Sequence, residues 1–140
     1  MRIPWSSGLT VQDVMVRRPK TLQSAASVGD VRAVLADDHV HMVLLVEDGR
    51  LRGTLLRDDL PTTAGADEPA LAWSRLTGRT VPPDADAEAV RIRLVEVDAR
   101  RRAVVGKDGR LLGLLCLKRH RNGFCSDADV DNRRHCAGMS

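Results

Sequence analysis

The feature that most limits what this chain can fold into is a pattern it spells twice. Residues 43–60 read V-L-L-V-E-D-G-R-L-R-G-T-L-L-R-D-D-L, and residues 103–120 read A-V-V-G-K-D-G-R-L-L-G-L-L-C-L-K-R-H. Each is an apolar run, an Asp-Gly-Arg-Leu turn, a glycine, a second apolar run and a charged end. The turns fall at Asp48-Gly49 and Asp108-Gly109, 60 residues apart (108 − 48). Asp-Gly between short runs rich in Val and Leu is a strong hairpin signal, because both turn residues tolerate positive φ. A hairpin repeated at a fixed offset means two copies of one unit.

The segments around the hairpins repeat as well. Thr10-Val-Gln-Asp13 has capping-box spacing and predicts a short helix through Val14 and Met15, ended by Pro19. Lys20-Thr21-Leu22 follows as a brief extended piece. Ser27, with Asp30 three residues on, opens a second helix with Val28, Val31 and Leu35 on one face. Asp37-Asp38-His39 break it, and Met42–Glu47 reads as a strand buried on both faces. Leu51–Leu56 is its return strand, and Asp59 is expected to cap a further short helix. Thr62–Glu68 reads as a linker. The order then recurs: a short helix over Pro69–Leu76 closed by Gly78, an extended Thr80-Val81-Pro82, and a helix opened by Asp84 or Asp86. That helix carries Val90, Leu94 and Val97 on one face, and the strands Ala103–Val105 and Leu111–Leu117 complete the unit. The expected division is 10–64 for the first unit, 68–122 for the second and 123–140 for a polar tail. A unit of some 50–55 residues buries too little surface to be stable alone, so two should share a core, sheet against sheet.

Composition narrows the function. Hydrophobic and charged fractions of 43% and 29% are those of a globular chain. Trp5, Trp73 and Phe124 are the only aromatics, which leaves no stacking platform for single-stranded nucleic acid. Residues 1–60 carry eight basic and eight acidic side chains, so the net +3 lies wholly in the second half. Its clusters, Arg100-Arg101-Arg102, Lys118-Arg119-His120-Arg121 and Arg133-Arg134, suit a phosphate-bearing ligand or a solvated surface. The first residues lack the apolar core of a secretory signal, and no stretch approaches the roughly 18 apolar residues of a membrane span. With three cysteines, Cys116, Cys125 and Cys136, the expectation is a cytoplasmic protein with reduced thiols.

The order of elements, with Asp13-Val14-Met15, Val46-Glu47-Asp48-Gly49-Arg50-Leu51 and Gly53-Thr54-Leu55-Leu56-Arg57-Asp58-Asp59-Leu60, resembles the CBS domain, named after cystathionine β-synthase. The resemblance covers about residues 10–120. It implies a mixed α+β fold: two β-α-β-β-α units, related by a pseudo-twofold and packed sheet to sheet as a Bateman module. It also implies an adenosine-containing ligand (AMP, ADP, ATP or S-adenosylmethionine) in clefts between the units, and a disc-like homodimer. In the family's Gly-hydrophobic-hydrophobic-Thr/Ser-x-x-Asp motif, the Asp accepts from ribose hydroxyls and the Thr/Ser hydroxyl holds phosphate or sugar. Here Gly53 and Asp59 match and Leu56 replaces the hydroxyl residue. In the second unit Gly113 matches, Cys116 takes the hydroxyl position and Arg119 the Asp position. Guanidinium only donates, so Arg119 would bind phosphate and not ribose. Arg57 would face phosphate or, the commoner case, be solvated surface, and Thr21, Leu22, Val43 and Leu44 would lie near adenine.

Other motifs point to no chemistry. Cys116, His120, Cys125, His135 and Cys136 have no Cys-x-x-Cys spacing for zinc. Asp127–Asn132 imitates a calcium loop, but Asn132 and Gly138 stand where its glycine and bidentate glutamate belong. His39 and His41 flank a strand without a catalytic motif. The chain reads as a regulatory binding module and not an enzyme. It would act by a ligand-driven shift between arrangements of its units or of a dimer. The rival reading is an adaptor with degenerate ligand sites that contacts a protein or, less in keeping with the composition, nucleic acid.

Overall fold

The computed structural model describes residues 8–118, 121 and 123–125. Its elements run in the order α1 (Val11–Val14), β1 (Thr21–Gln23), α2 (Val28–Leu35), β2 (Met42–Glu47), β3 (Arg50–Leu56) and a 3-10 turn, Arg57–Asp59. A second series follows: a 3-10 turn Ala70–Trp73, β4 (Thr80–Val81), α3 (Ala87–Glu96), β5 (Arg101–Val105), a 3-10 turn Lys107–Gly109 and β6 (Leu111–Cys116). Each series makes one three-stranded sheet, β1-β2-β3 and β4-β5-β6, its first pair parallel and its second antiparallel.

The duplication holds residue by residue. Thr21 pairs with Leu44 and Thr80 with Ala103, an offset of 59 (80 − 21 and 103 − 44). Leu44 pairs with Thr54 and Ala103 with Leu114, so the return strands are offset by 60 (114 − 54). The extra residue lies in the second turn. Glu47 and Arg50 are joined by Asp48-Gly49 alone, with φ of 54° and 79°, the positive pair a type I′ turn requires. In the second hairpin Gly106 N–H donates to Arg110 O at 2.8 Å, around the three residues Lys107–Gly109. Both ladders are irregular at matching places, Leu45/Val46 and Val104/Val105.

The strands sort their side chains by the two-residue period. Val43 and Leu45 face a core under α2 with Val31, Leu35 and Leu55. Met42 and Leu44 face the other way, toward Ala103, Leu111 and Leu114 of the second sheet. Val104 and Leu115 face a third core under α3 with Leu94. The layers are therefore helix, sheet, sheet, helix. Each outer core is completed by the other half of the chain: Ala70, Leu71 and Trp73 enter the first, and Val11, Val14 and Met15 the second. The chain crosses itself at symmetric points. Val16 pairs with Leu114 and Thr54 with Arg75, Thr10 with Asp86 and Ser27 with Pro69, and Arg50 pairs with its own counterpart Arg110.

Helix starts follow their caps. The Ser27 hydroxyl accepts from Asp30 N–H at 3.1 Å while Asp30 accepts from Ser27 N–H at 3.0 Å. Asp13 reaches back to Thr10 N–H at 2.9 Å, and Asp86, not Asp84, caps α3 through Ala89 N–H at 2.9 Å. Four expectations change. The first helix stops at Val14, with Met15 extended. The helix expected over Pro69–Leu76 is only the 3-10 turn Ala70–Trp73. Asp59 ends a 3-10 turn and opens no helix, because its carboxylate is committed backward to Leu56. Val97 caps α3 and is 40% exposed, beyond the helix's buried stripe. Of the tail, Phe124 pairs with Leu117, so the chain turns back along β6; Arg133, Arg134, the calcium-like 127–132 segment, His135 and Cys136 lie outside the described residues, as does Trp5. Among the described residues no helix is long and apolar enough to cross a membrane.

Candidate functional site

Two seams arise where one half's entering segment crosses the other half's last strand, and the sequence makes them unlike. At the first, residues 74–75 cross β3. Thr54 and Arg75 exchange backbone hydrogen bonds at 2.9 Å, and the buried Thr54 hydroxyl donates to Arg75 O at 2.5 Å. A Cβ on Gly53 would lie 2.0 Å from Ser74 Oγ, so the first residue of the family motif is a glycine for packing reasons. Asp59 is nearly enclosed, its side chain 7% exposed. Its carboxylate accepts from Leu56 N–H at 2.7 Å and from both terminal nitrogens of Arg79 at 2.5 and 2.9 Å, with Arg75 Nε at 3.7 Å. Burial alone would push this carboxyl up. The Arg79 fork, Leu56 N–H and the neighbouring charge outweigh it and hold the group below its usual value. The seam is thus filled by a bidentate ion pair of the chain's own.

At the second seam, residues 15–16 cross β6 beside Gly113, where a Cβ would lie 2.5 Å from Val16 O. Here a crevice stays open, with an empty volume of about 580 Å³ including its mouth. The enclosed part is only about 60 Å³, below the roughly 300–1,000 Å³ of small-molecule sites, so a nucleotide-sized ligand would have to widen the seam. Its walls are Val16, Pro19, Val40, Met42 and Leu114, and Cys116 adds its thiol. The polar rim is Lys20, His39, His41, Arg101 and Asp37. Asp37 holds His39 through its backbone N–H at 2.9 Å and its ring at 3.2 Å. The offset of 59 places Lys20 where the first seam has Arg79 (79 − 20), and in the sequence the offset of 60 aligns Arg119 with Asp59 (119 − 59). Arg119 itself lies outside the described residues, so at the second seam this correspondence is one of sequence alone. The crevice lining is cationic over apolar walls, which suits an anion carrying a flat apolar group. Among the described residues no group of three or more His, Cys, Asp or Glu is gathered for a metal.

The residues named from sequence fall unevenly on this geometry. Gly53, Leu56 and Asp59 meet at the first seam. Arg57 lies at neither seam but beside a shallow surface hollow with Arg32, Ala36 and Leu60: its guanidinium donates to Leu35 O, to Asp37 O at 3.1 Å and to Val40 O at 2.8 Å, tying the end of the first hairpin to the end of α2. Val43 and Leu44 are fully buried, one in the core under α2 and one between the sheets, and offer no surface to adenine. Leu22 packs against the core under α2, and Thr21 is an exposed β1 residue beside Lys20. Arg119 lies outside the described residues. Of the arginine clusters, Arg101 lines the crevice, Arg100 donates to Leu117 O at 3.1 Å and Arg121 pairs with Asp98 at 2.9 Å. Lys20, Met42 and Arg101 went unnoticed as crevice residues. The offset of 59 pointing from Arg79 to Lys20 was the available signal.

Comparison with known proteins agrees with this geometry. Residues 11–60 match the CBS domain family. No curated protein sequence matches the chain. Among solved structures, a CBS domain protein from Pyrobaculum aerophilum complexed with AMP is 20% identical with a TM-score of 0.65, over 81% of this chain and 95% of its own. A CBS domain pair in complex with 5′-methylthioadenosine and S-adenosyl-L-methionine is 18% identical with a TM-score of 0.63, over 94% of this chain and 98% of its own. The cytosolic domain of the Mg²⁺ channel MgtE in complex with ATP is 23% identical with a TM-score of 0.62, over 74% of this chain. The chain spans about half of the longer structures it resembles, 44% of the MgtE domain and 55% of another. Residues 11–60 match the CBS domain by sequence and the second half repeats their fold across a pseudo-twofold, so the chain has the fold of a CBS-domain pair.

Proposed function

We propose that this module is regulatory and takes a phosphate-bearing adenosine ligand, of the AMP, ADP or ATP class, in the crevice of the second seam. The observation that carries the reading is the lining itself: apolar walls from Val16, Val40, Met42 and Leu114 under a rim bearing Lys20, His39, His41 and Arg101. The relatives complexed with AMP and ATP support the ligand class. The complex with S-adenosyl-L-methionine keeps that ligand in the comparison, although its sulfonium suits a cationic rim less well. Ligand bridging both halves would favour one packing of the halves or of a homodimer, a population shift with no catalytic step. Ile92 and Val95, 46% and 42% exposed on α3, with Leu76 and Val97, support an apolar dimer contact. In this reading Asp59 is a structural acid, because a ribose could reach it only after Arg79 left.

Calorimetric titration of the full chain with AMP, ADP, ATP and S-adenosylmethionine tests this. The expected result is one site per chain, weakened about tenfold by Lys20→Ala, the cost of roughly 1.4 kcal/mol of charge-assisted contact. Asp59→Ala should leave the affinity within about twofold, apart from any loss of stability. The second reading, an adaptor whose ligand sites have closed, is favoured by the ion pair filling the first seam. Absence of heat at millimolar ligand would establish it over the first.

A further inference from the structure

The chain turns back after β6 so as to set two sulfurs side by side. Leu117 pairs with Phe124, Cys125 N–H donates to Cys116 O at 2.7 Å, and Lys118 N–H donates to Gly123 O at 2.8 Å. Cys116 and Cys125 are therefore directly opposite across an antiparallel ribbon. Such pairs have Cα atoms about 4.5–5.5 Å apart, within the roughly 4.4–6.8 Å that a disulfide spans. Their Sγ atoms are 2.9 Å apart and not bonded to each other, and both residues are 4% exposed beside Val16 and Leu114. Closing that gap to a bond of about 2.05 Å needs under about 1 Å of movement. Cys116 is also part of the crevice wall, which gives a small oxidant a route to one sulfur of an otherwise buried pair.

We propose that Cys116 and Cys125 form a reversible thiol–disulfide site whose oxidant is hydrogen peroxide. The Cys116 thiolate attacks a peroxide oxygen and the O–O bond breaks. Cys116 becomes a sulfenic acid, and the leaving hydroxide takes up a proton as water. The Cys125 thiolate then attacks the Cys116 sulfur, the S–O bond breaks and a second water leaves. Two thiols and one peroxide thus give one disulfide and two waters, the two electrons passing from sulfur to oxygen. A dithiol reductant reverses the change by exchange.

The test uses the full chain carrying Cys136→Ser, which leaves two of the three cysteines. After hydrogen peroxide, titratable thiols measured in denaturant should fall from two to none, and the intact mass should drop by two hydrogens. Trypsin cuts at Lys118 and Arg121 between the cysteines, so non-reducing digestion should yield a linked pair of peptides that dithiothreitol separates. The rate should not depend on protein concentration. Retention of both thiols, oxygen added at Cys116 without linkage, or linkage only between chains would each overturn the assignment. So would preferential pairing of Cys136 with either residue in the unaltered chain.

Discussion

Asp59 shows how a single side chain can carry two readings that only geometry separates. Its place in the motif suggests an acceptor for a ligand, whereas its lone pairs are already met by Leu56 N–H and the Arg79 fork. The carboxyl is held below its usual value, so the sign of its contribution follows directly. A depressed acid stabilises the fold above its unfolded value of about 3.9 and loses that contribution as pH falls through the folded value. Asp59→Asn should therefore cost about 1–3 kcal/mol at pH 7, the range for leaving an enclosed charged partner unmet. The gap between variant and parent in urea unfolding should narrow by pH 3. An unchanged gap at both pH values would mean that the charge of Asp59 does not act through Arg79.

At the scale of elements, what is local in the chain is what the sequence makes legible. The hairpins follow from Asp-Gly turns whose φ values are positive, and α2 from a Ser27–Asp30 box closed in both directions. The crossings were not legible. Val16 and Leu114 are 98 residues apart (114 − 16), Arg79 lies 20 residues from Asp59, and no short pattern records either contact. For the same reason Gly53 and Gly113 read from sequence as ligand-motif residues, although each lies against a crossing segment. Their measurable role is to let a foreign segment lie against β3 and β6. At Gly113 a methyl group would meet the backbone oxygen of Val16, which is fixed by its own bridge, and the Met15 sulfur at 2.7 Å. Gly113→Ala should lower stability by about 1–3 kcal/mol, the usual cost of overpacking. At Gly53 the obstacle is the Ser74 side chain, so Gly53→Ala should be partly rescued by Ser74→Gly. Thermal melts of the two singles and the double decide it. Lack of coupling between 53 and 74 would deny the close approach.

For the whole molecule, duplication explains both why the fold exists and why its halves can differ. A half of about 60 residues would bury only about 60% of its unfolded surface, which leaves it marginal. Here each half also surrenders its entering segment: Val11 sits with no exposed surface in the core under α3, and Ala70 likewise in the core under α2. Sheet packing through Leu44, Leu51 and Ala103 adds a third shared core. Once stability belongs to the pair, one seam can be sealed by Asp59 and Arg79 while the other keeps a crevice. Cutting the chain within residues 62–68 should then give fragments that show no cooperative melt by circular dichroism when separate. Mixed at equal concentration, they should recover a single transition that rises with concentration, as expected when folding and association are one equilibrium. An isolated first fragment that melted cooperatively near the temperature of the intact chain would show that the exchanged segments add little and that the two units are stable on their own.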